Sequence, residues 1–538
     1  MESNTRSVVL YDTTLRDGAQ MEGISLSVGD KLKIARKLDE LGVHYIEGGW
    51  PGSNPKDAEF FVKAQGLKLA NATIAAFGST RKANTSVEKD SNIRALLDAQ
   101  TEVITLVGKS SALHVRRVLE TTPEENLDMI ADSIRYLKSH GRTVFFDAEH
   151  FFDGFKEDPE YALKTIEVAT EAGADCVVLC DTNGGCLPQE IADTVDRIRK
   201  DVDVSLGIHT HNDADMAIAA SLTAVEHGVT HVQGTINGYG ERCGTANLCS
   251  IIGNLKVKLG IDCISDEQLG RLTEVSRYVS ELANLPPDHH QPYVGNSAFS
   301  HKGGMHVAAV NKLEESYQHM PPEVVGNKKR VVVSELSGRG NIAYKVRELG
   351  IDVELGAEQT RELLHQIKDL ENKGFQYEGA EASFELLVLR SQKDYQPPFD
   401  LVDFMVMVEK RRRAPTVSDG EEEMLTEAMV KVRVGGEVIH TAAEGNGPVN
   451  ALDGALRKAL LQFYPSLAAV KLTDYKVRII DESAGTASTT RVLIDSTDGE
   501  EQWTTVGSST NIIEASWLAL TDSLEYWLHR RGKSLDGA

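Results

Sequence analysis

The sequence contains no C-x-x-C pair; its six cysteines, at positions 176, 180, 186, 243, 249 and 263, fall in one central block. That spacing argues against a zinc knuckle or a secreted disulfide framework and leaves reduced thiols as the expectation. An excess of positive charge is also missing. A formal net charge of -24 gives no general attraction to phosphate backbones or anionic lipids, so neither nucleic acid nor a membrane is an expected partner. No apolar run approaches the length of a membrane span, and "MESNTRSVVLYDTTLRDG" passes from a polar lead into a strand-like run without the hydrophobic region of a signal peptide. A cytoplasmic, soluble protein is expected. Neither a G-x-G-x-x-G after the first strand-like run nor a serine-nucleophile elbow is present.

What the first half does contain is a repeated alternation. Apolar, β-branched runs recur as "VVLYD" at 8, "VHYIEGG" at 43, "NATIAAFG" at 71, "EVITLVG" at 102, "TVFFDAE" at 143, "DCVVLCD" at 175, "VSLGIHTH" at 204 and "THVQGTING" at 230. Stretches of helical period lie between them, among them "SVGDKLKIARKLDELG", "TPEENLDMIADSIRYLKSHG" and "DPEYALKTIEVATEAGA". These begin with capping or acidic residues and close on glycine. Eight β/α units in roughly 250 residues match the size of a TIM (β/α)8 barrel, with a doubly wound open sheet as the structural alternative.

In a barrel, chemistry gathers at the carboxyl ends of the strands. Those ends here carry Arg16 and Asp17, Asp147 and Glu149, Asp181 and Thr182, His209 and His211, and Glu241 and Arg242. Alternation along a strand puts His209 and His211 on one face. Two imidazoles and the Asp17 carboxylate form a set that leaves coordination positions open, suited to Mn2+, Mg2+ or Zn2+, with non-haem iron also compatible. Taken singly, each of these polar residues reads as a solvated loop residue; their joint placement suggests a site.

At these positions "YDTTLRDGAQ", "HTHND" and "GYGERCG" resemble the three motifs of the metal-dependent acyl-CoA carboligases and lyases that include 2-isopropylmalate, homocitrate and citramalate synthases. "EGGWPGSNPKD", "FFDAEHFFDGF" and "NSAFSHKGGMHVAAV" are most similar to the citramalate synthase branch. The resemblance implies that Asp17, His209 and His211 bind the divalent metal, with Arg16 beside them to balance a 2-oxo acid. It also implies Glu149 as the base, and His306 and Tyr317 as assisting groups brought over a neighbouring subunit's barrel. Asp147 and Thr182 are expected to bind substrate. Where the family usually reads G-E-R-x-G-N, this chain reads "GERCGTAN", so Thr245 holds the asparagine position as a weak ligand, with Asn247 as a possible substitute.

The implied reaction is a Claisen-type condensation of acetyl-CoA with pyruvate, followed by thioester hydrolysis to citramalate. Phe77 and Val107 are expected to wall the pyruvate methyl, and Cys243 to be a packing residue. The alternatives are a 2-isopropylmalate synthase using 2-oxoisovalerate, a related lyase or aldolase, and a non-enzymatic amino-acid sensor on a decayed barrel. An apolar pocket separates acceptors one methylene apart by only about 1 to 3 kcal/mol.

The expected domains are a barrel over 1–275, helical linker subdomains over 276–399 that carry His306 and Tyr317, and a C-terminal α+β domain over 400–538. "DEQLGRLTEVSRYVSELANLPPD" reads as one amphipathic helix stopped by Pro286 and Pro287. The runs "EKRRRAP" and "SDGEEEM" read as solvated charged turns. After 400, strand-like "DFMVMVEK", "AMVKVRVGG", "YKVRIID" and "TRVLIDS" accompany two similar turn-and-helix segments, "EGNGPVNALDGALRKAL" and "VGSSTNIIEASWLALTDSL". This internal repeat suggests a duplicated unit. It resembles the family's regulatory domain, which implies a homodimer and feedback binding of isoleucine.

Overall fold

The computed structural model describes residues 7–310, 312–333, 339–351, 353, 355–410, 424–480, 485 and 487–532. Eight parallel strands, β1 (Val9–Asp12), β2 (Tyr45–Gly49), β3 (Thr73–Ser79), β4 (Val103–Lys109), β5 (Thr143–Glu149), β6 (Cys176–Asp181), β7 (Leu206–Thr210) and β8 (His231–Gly234), close into one barrel in sequential order. Closure is made by β8 on β1, with Val9 opposite His231 and Asp12 opposite Gly234.

Each expected strand forms where its β-branched run predicts. The helices between them obey their end signals: Val28–Leu41 starts on a Ser27/Asp30 capping box and ends on Gly42 at φ 90°, and Pro159–Glu171 starts on Asp158. Inward-facing Tyr11, Ala75, Val103, Phe145, Cys176, Val178 and Cys180 fill the barrel interior. All six cysteines are unpaired; five are buried, and Cys243 is exposed in the loop after β8, so it is not the packing residue expected.

The chain divides into two compact units, Met1–Phe299 with His319–Lys329, and Ser300–Gln318 with Arg330–Ala538. The boundary expected at 275 falls inside helix Leu272–Leu282, whose buried face, Leu272, Val275 and Val279, belongs to the barrel core. The single helix expected there is two, Asp266–Leu269 and Leu272–Leu282. The break comes at Gly270, whose carbonyl lies so close to Gly326 that a Cβ at 326 would sit 2.1 Å from it; the helix ends before either proline.

The second unit holds the helices Gly304–Val310, Arg339–Glu348, Ala357–Asn372 and Glu381–Arg390, then the repeat. Strands Asp400–Lys410, Met424–Val434 and Glu437–Gly445 form one antiparallel sheet followed by helix Pro448–Leu460. Strands Lys471–Ile479, Thr490–Thr497 and Gln502–Ser509 form another, followed by Ile512–Gly532. The duplication is present, with a third strand in each copy that the apolar pattern does not mark. Ala428, Val430 and Val432 alternate into a core shared with Leu452, Leu456 and Leu460 of the helix. "EKRRRAP" and "SDGEEEM" lie largely outside the described residues. No described helix is long and apolar enough to cross a membrane.

Candidate metal centre and active site

The loop after β1 is stitched down before it delivers its two charged residues. Asp12 accepts from the Thr14 backbone N–H and hydroxyl, both at 2.9 Å, and that hydroxyl accepts from the Ile236 N–H at 2.8 Å. Thr13 N–H donates to the Gly234 carbonyl at 2.8 Å. Burial pushes Asp12 up to about 7, against the Thr14 hydrogen bonds. This is the physical content of "DTT": it ties β1 to β8, so that Arg16 and Asp17 enter the barrel mouth from a fixed backbone.

Asp17, His209 and His211 converge there, all buried, each offering one ligand atom within 4.8 Å of the others. Asp17 Oδ2 lies 3.4 Å from His209 Nε2, 3.9 Å from His211 Nε2 and 3.3 Å from Arg16 Nη1. Its Oδ1 is buried with no hydrogen-bond partner among the described residues. Burial alone would raise Asp17, but Arg16 first and then the two histidines hold it well below the usual carboxylate range. Burial and then the neighbouring His209 bring His211 down to about 4, a neutral imidazole. A carboxylate, two imidazoles and an orphaned carboxylate oxygen are the donor set a divalent cation requires.

Arg16 is fixed on three sides. Its Nε donates to Glu47 Oε1 at 2.5 Å, its Nη1 meets Asp17, and its guanidinium lies 3.9 Å from the Phe77 ring centroid. Glu47 is wholly buried and also accepts from the Tyr11 hydroxyl at 2.6 Å. Phe77 in turn meets the Trp50 ring edge-on at 5.5 Å.

A cavity of about 370 Å3 opens at this mouth. Its walls include Arg16, Asp17, Phe77, Val107, Asp147, Glu149, Thr182, His209, His211, Glu241 and Arg242, while Asp181, Thr245, Asn247, His306 and Tyr317 do not line it.

Residues 7–279 match the HMGL-like family. The (R)-citramalate synthase of Geobacter sulfurreducens is 55% identical over 523 residues, covering 97% of this chain and 98% of that one. The chain belongs to the HMGL-like family. The (R)-citramalate synthase of Aquifex aeolicus is 52% identical over 97% of this chain and 98% of its own. The 2-isopropylmalate synthase of Methanocaldococcus jannaschii is 32% identical, over 98% of this chain and 96% of its own. Residues 293–374 match a homocitrate synthase post-HMGL domain-like model, and 378–528 the LeuA allosteric (dimerisation) domain.

Within this HMGL-like barrel the remaining candidates are placed less simply. Glu149 forms an ion pair with Lys109, a cavity residue that the sequence reading did not single out. Thr182 has its hydroxyl engaged by the His150 N–H at 2.8 Å and its carbonyl by Arg242 Nη2 at 2.8 Å. Arg242 also grips both oxygens of Asp213, which holds the β8 loop against the β7 loop. Asp181 receives the Cys186 N–H at 3.0 Å.

Thr245 directs its hydroxyl to the Tyr239 carbonyl at 3.2 Å and to Thr235 at 3.1 Å, and it is not among the cavity residues. Asn247 accepts from the Cys249 N–H at 3.0 Å, capping helix Leu248–Gly253. The close turn between them and β8 needs Gly244, at φ 86°, where a Cβ would fall 2.0 Å from the Gly238 carbonyl. His306 and Tyr317 lie in the second unit with their rings stacked at 4.2 Å, and Tyr317 is half exposed.

The sequence reading also missed Glu47, Tyr11 and Gln233. "YIEGG" and "THVQGTING" place a carboxylate and an amide inside strands; an inward polar residue on a strand buried on both faces is the signal that marks them.

Proposed function

We propose that this chain is an (R)-citramalate synthase, an acyltransferase that condenses acetyl-CoA with pyruvate and hydrolyses the thioester to citramalate and CoA. The observation that carries the reading is the buried Asp17, His209 and His211 set beside Arg16, in a chain more than half identical to (R)-citramalate synthases along almost its whole length. Asp17, His209 and His211 hold a divalent ion, Mn2+, Mg2+ or Zn2+. When bound, such an ion supplies Lewis-acid polarisation of the acceptor's 2-keto oxygen.

Arg16 binds the acceptor carboxylate and balances the negative charge that develops on the keto oxygen, with its orientation set in advance by Glu47 and Phe77. Glu149 takes a proton from the acetyl methyl group once it leaves Lys109, or His306 supplied by a neighbouring subunit does so; the enolate then attacks C2 of pyruvate. Tyr317 of the same neighbouring subunit assists, Thr182 contributes its carbonyl-anchored loop to substrate binding, and Thr245 supports the His211 backbone, with which it forms a β-bridge, in place of ligating. Phe77 and Val107 wall the acceptor methyl.

Thiol release from acetyl-CoA is expected to be fastest with pyruvate, slower with 2-oxobutanoate and slowest with 2-oxoisovalerate, and to vanish after chelation and return with Mn2+. Preference for 2-oxoisovalerate would reassign the acceptor, and turnover indifferent to chelation would remove the metal from the reading.

The repeated C-terminal sheets and the match to the LeuA domain support a homodimer that binds isoleucine as a feedback ligand. Helices Pro448–Leu460 and Ile512–Gly532 start just after glycine- and serine-rich turns, and helix N-termini suit a carboxylate. Isothermal titration is expected to show isoleucine binding below millimolar concentration; silence at millimolar isoleucine and leucine would leave dimerisation as this unit's role.

A further inference from the structure

Behind the ligand set runs a buried hydrogen-bonded chain that crosses the barrel mouth. His209 Nδ1 lies 2.9 Å from Gln233 Oε1, and Gln233 Nε2 donates to Asp147 Oδ1 at 3.0 Å. All three side chains are buried, Gln233 completely. They stand on β7, β8 and β5, and β8 and β5 are not neighbours in the barrel, so the amide reaches across the interior.

We propose that Gln233 is a positioning residue: it transmits the acceptor character of Asp147 to His209 and thereby sets which imidazole nitrogen faces the ion. This rests on the reading of Asp17, His209 and His211 as the metal set. An amide has one donating and one accepting end, whereas Asp147, which burial pushes up to about 7, only accepts once it is ionised, so the relay has its direction above that pH. Asp147 therefore takes the NH2 end of Gln233 and turns its carbonyl toward His209. A carbonyl accepts only, so His209 carries its proton on Nδ1. In the neutral imidazole the lone pair is left on Nε2, the nitrogen that faces Asp17 Oδ2 at 3.4 Å. The direction of the chain is fixed from its far end. Had position 147 been an amide, the Gln233 side chain could take either orientation and both tautomers of His209 would be populated.

The test uses the metal-free full-length chain titrated with Mn2+ alone in competition with a chromophoric chelator. Gln233→Leu is expected to weaken Mn2+ binding by about 10- to 100-fold, with the thermal midpoint of the metal-free protein little changed. Gln233→Glu alone sets a second carboxylate against Asp147 and is expected to weaken binding too. In the Asp147→Asn/Gln233→Glu double variant the amide at 147 donates to the carboxylate at 233, which accepts from His209 Nδ1–H. Binding is then expected to return to within about threefold of the unaltered chain, as for a metal-bound imidazole backed by a carboxylate.

Unaltered affinity in Gln233→Leu overturns the proposal. So does a double variant no tighter than Gln233→Glu, a comparison that decides the matter even if the leucine variant does not fold. Failure of the unaltered chain to bind Mn2+, Mg2+ or Zn2+ is a separate result, which removes the metal set itself and the relay with it.

Discussion

Asp17→Ala is expected to lower kcat/KM for pyruvate by about a thousandfold or more, roughly 4 kcal/mol of transition-state stabilisation, and to abolish tight Mn2+ binding. The size follows from charge as much as from a lost ligand. Asp17 supplies the one carboxylate in the cluster with the two imidazoles, and its Oδ2 also lies 3.3 Å from the Arg16 guanidinium. Without it, no carboxylate remains among the three donors and Arg16 loses one of its two acidic partners, so the pull on an incoming cation falls sharply. Equilibrium dialysis with Mn2+ and the thiol-release assay report the two losses separately. A variant that keeps both metal and turnover would place the ion elsewhere.

Glu47→Ala is expected to destabilise the barrel by about 3 kcal/mol, the lower end for breaking a buried ion pair. The low end applies because Arg16 keeps Asp17 and the Tyr11 hydroxyl keeps Thr105, 2.7 Å away. Turnover is expected to fall as well, since the guanidinium loses the contact that sets its angle above Phe77. Glu47→Gln keeps an acceptor toward Arg16 and is expected to recover part of both. Thermal unfolding and kcat/KM measured on the same preparations check this. A midpoint equal to that of the unaltered chain would mean that Glu47 contributes nothing net to the fold.

The barrel was legible in the sequence because each of its strands is a short β-branched run followed by a helix with its own start and stop residues. Nothing tertiary was needed to read "TVFFDAE" as β5. The convergence of Asp17, His209 and His211 was legible for the same reason: strand ends are where a barrel places chemistry, and "HTHND" and "LRDG" stand at strand ends. Glu47 and Gln233 were not, because their meaning depends on partners from other strands. A glutamate in "YIEGG" becomes the anchor of Arg16 only when β1 lies beside β2. Gln233 becomes a relay only when the barrel closes and Asp147 comes opposite.

Helix Leu272–Leu282 was misjudged as linker because its period marks it as amphipathic without saying which core receives its apolar face. The third strands of the C-terminal repeat, Glu437–Gly445 and Gln502–Ser509, were passed over because small and polar residues dilute their alternation. Their pairing to a strong neighbour, Val430 opposite Thr441 and Leu493 opposite Val506, makes them strands.

The closure of the barrel by β8 on β1 also bears on how the protein is made. Asp17 follows the first strand, while the histidines belong to the seventh, so no partly folded chain that lacks the last strand pairing can assemble the three donors. Contacts this distant in sequence form late and slowly. During synthesis the nascent chain passes through every earlier strand without this cluster and gains it when the ring is sealed. Assembly of the Asp17, His209 and His211 cluster thus marks the closure of the barrel.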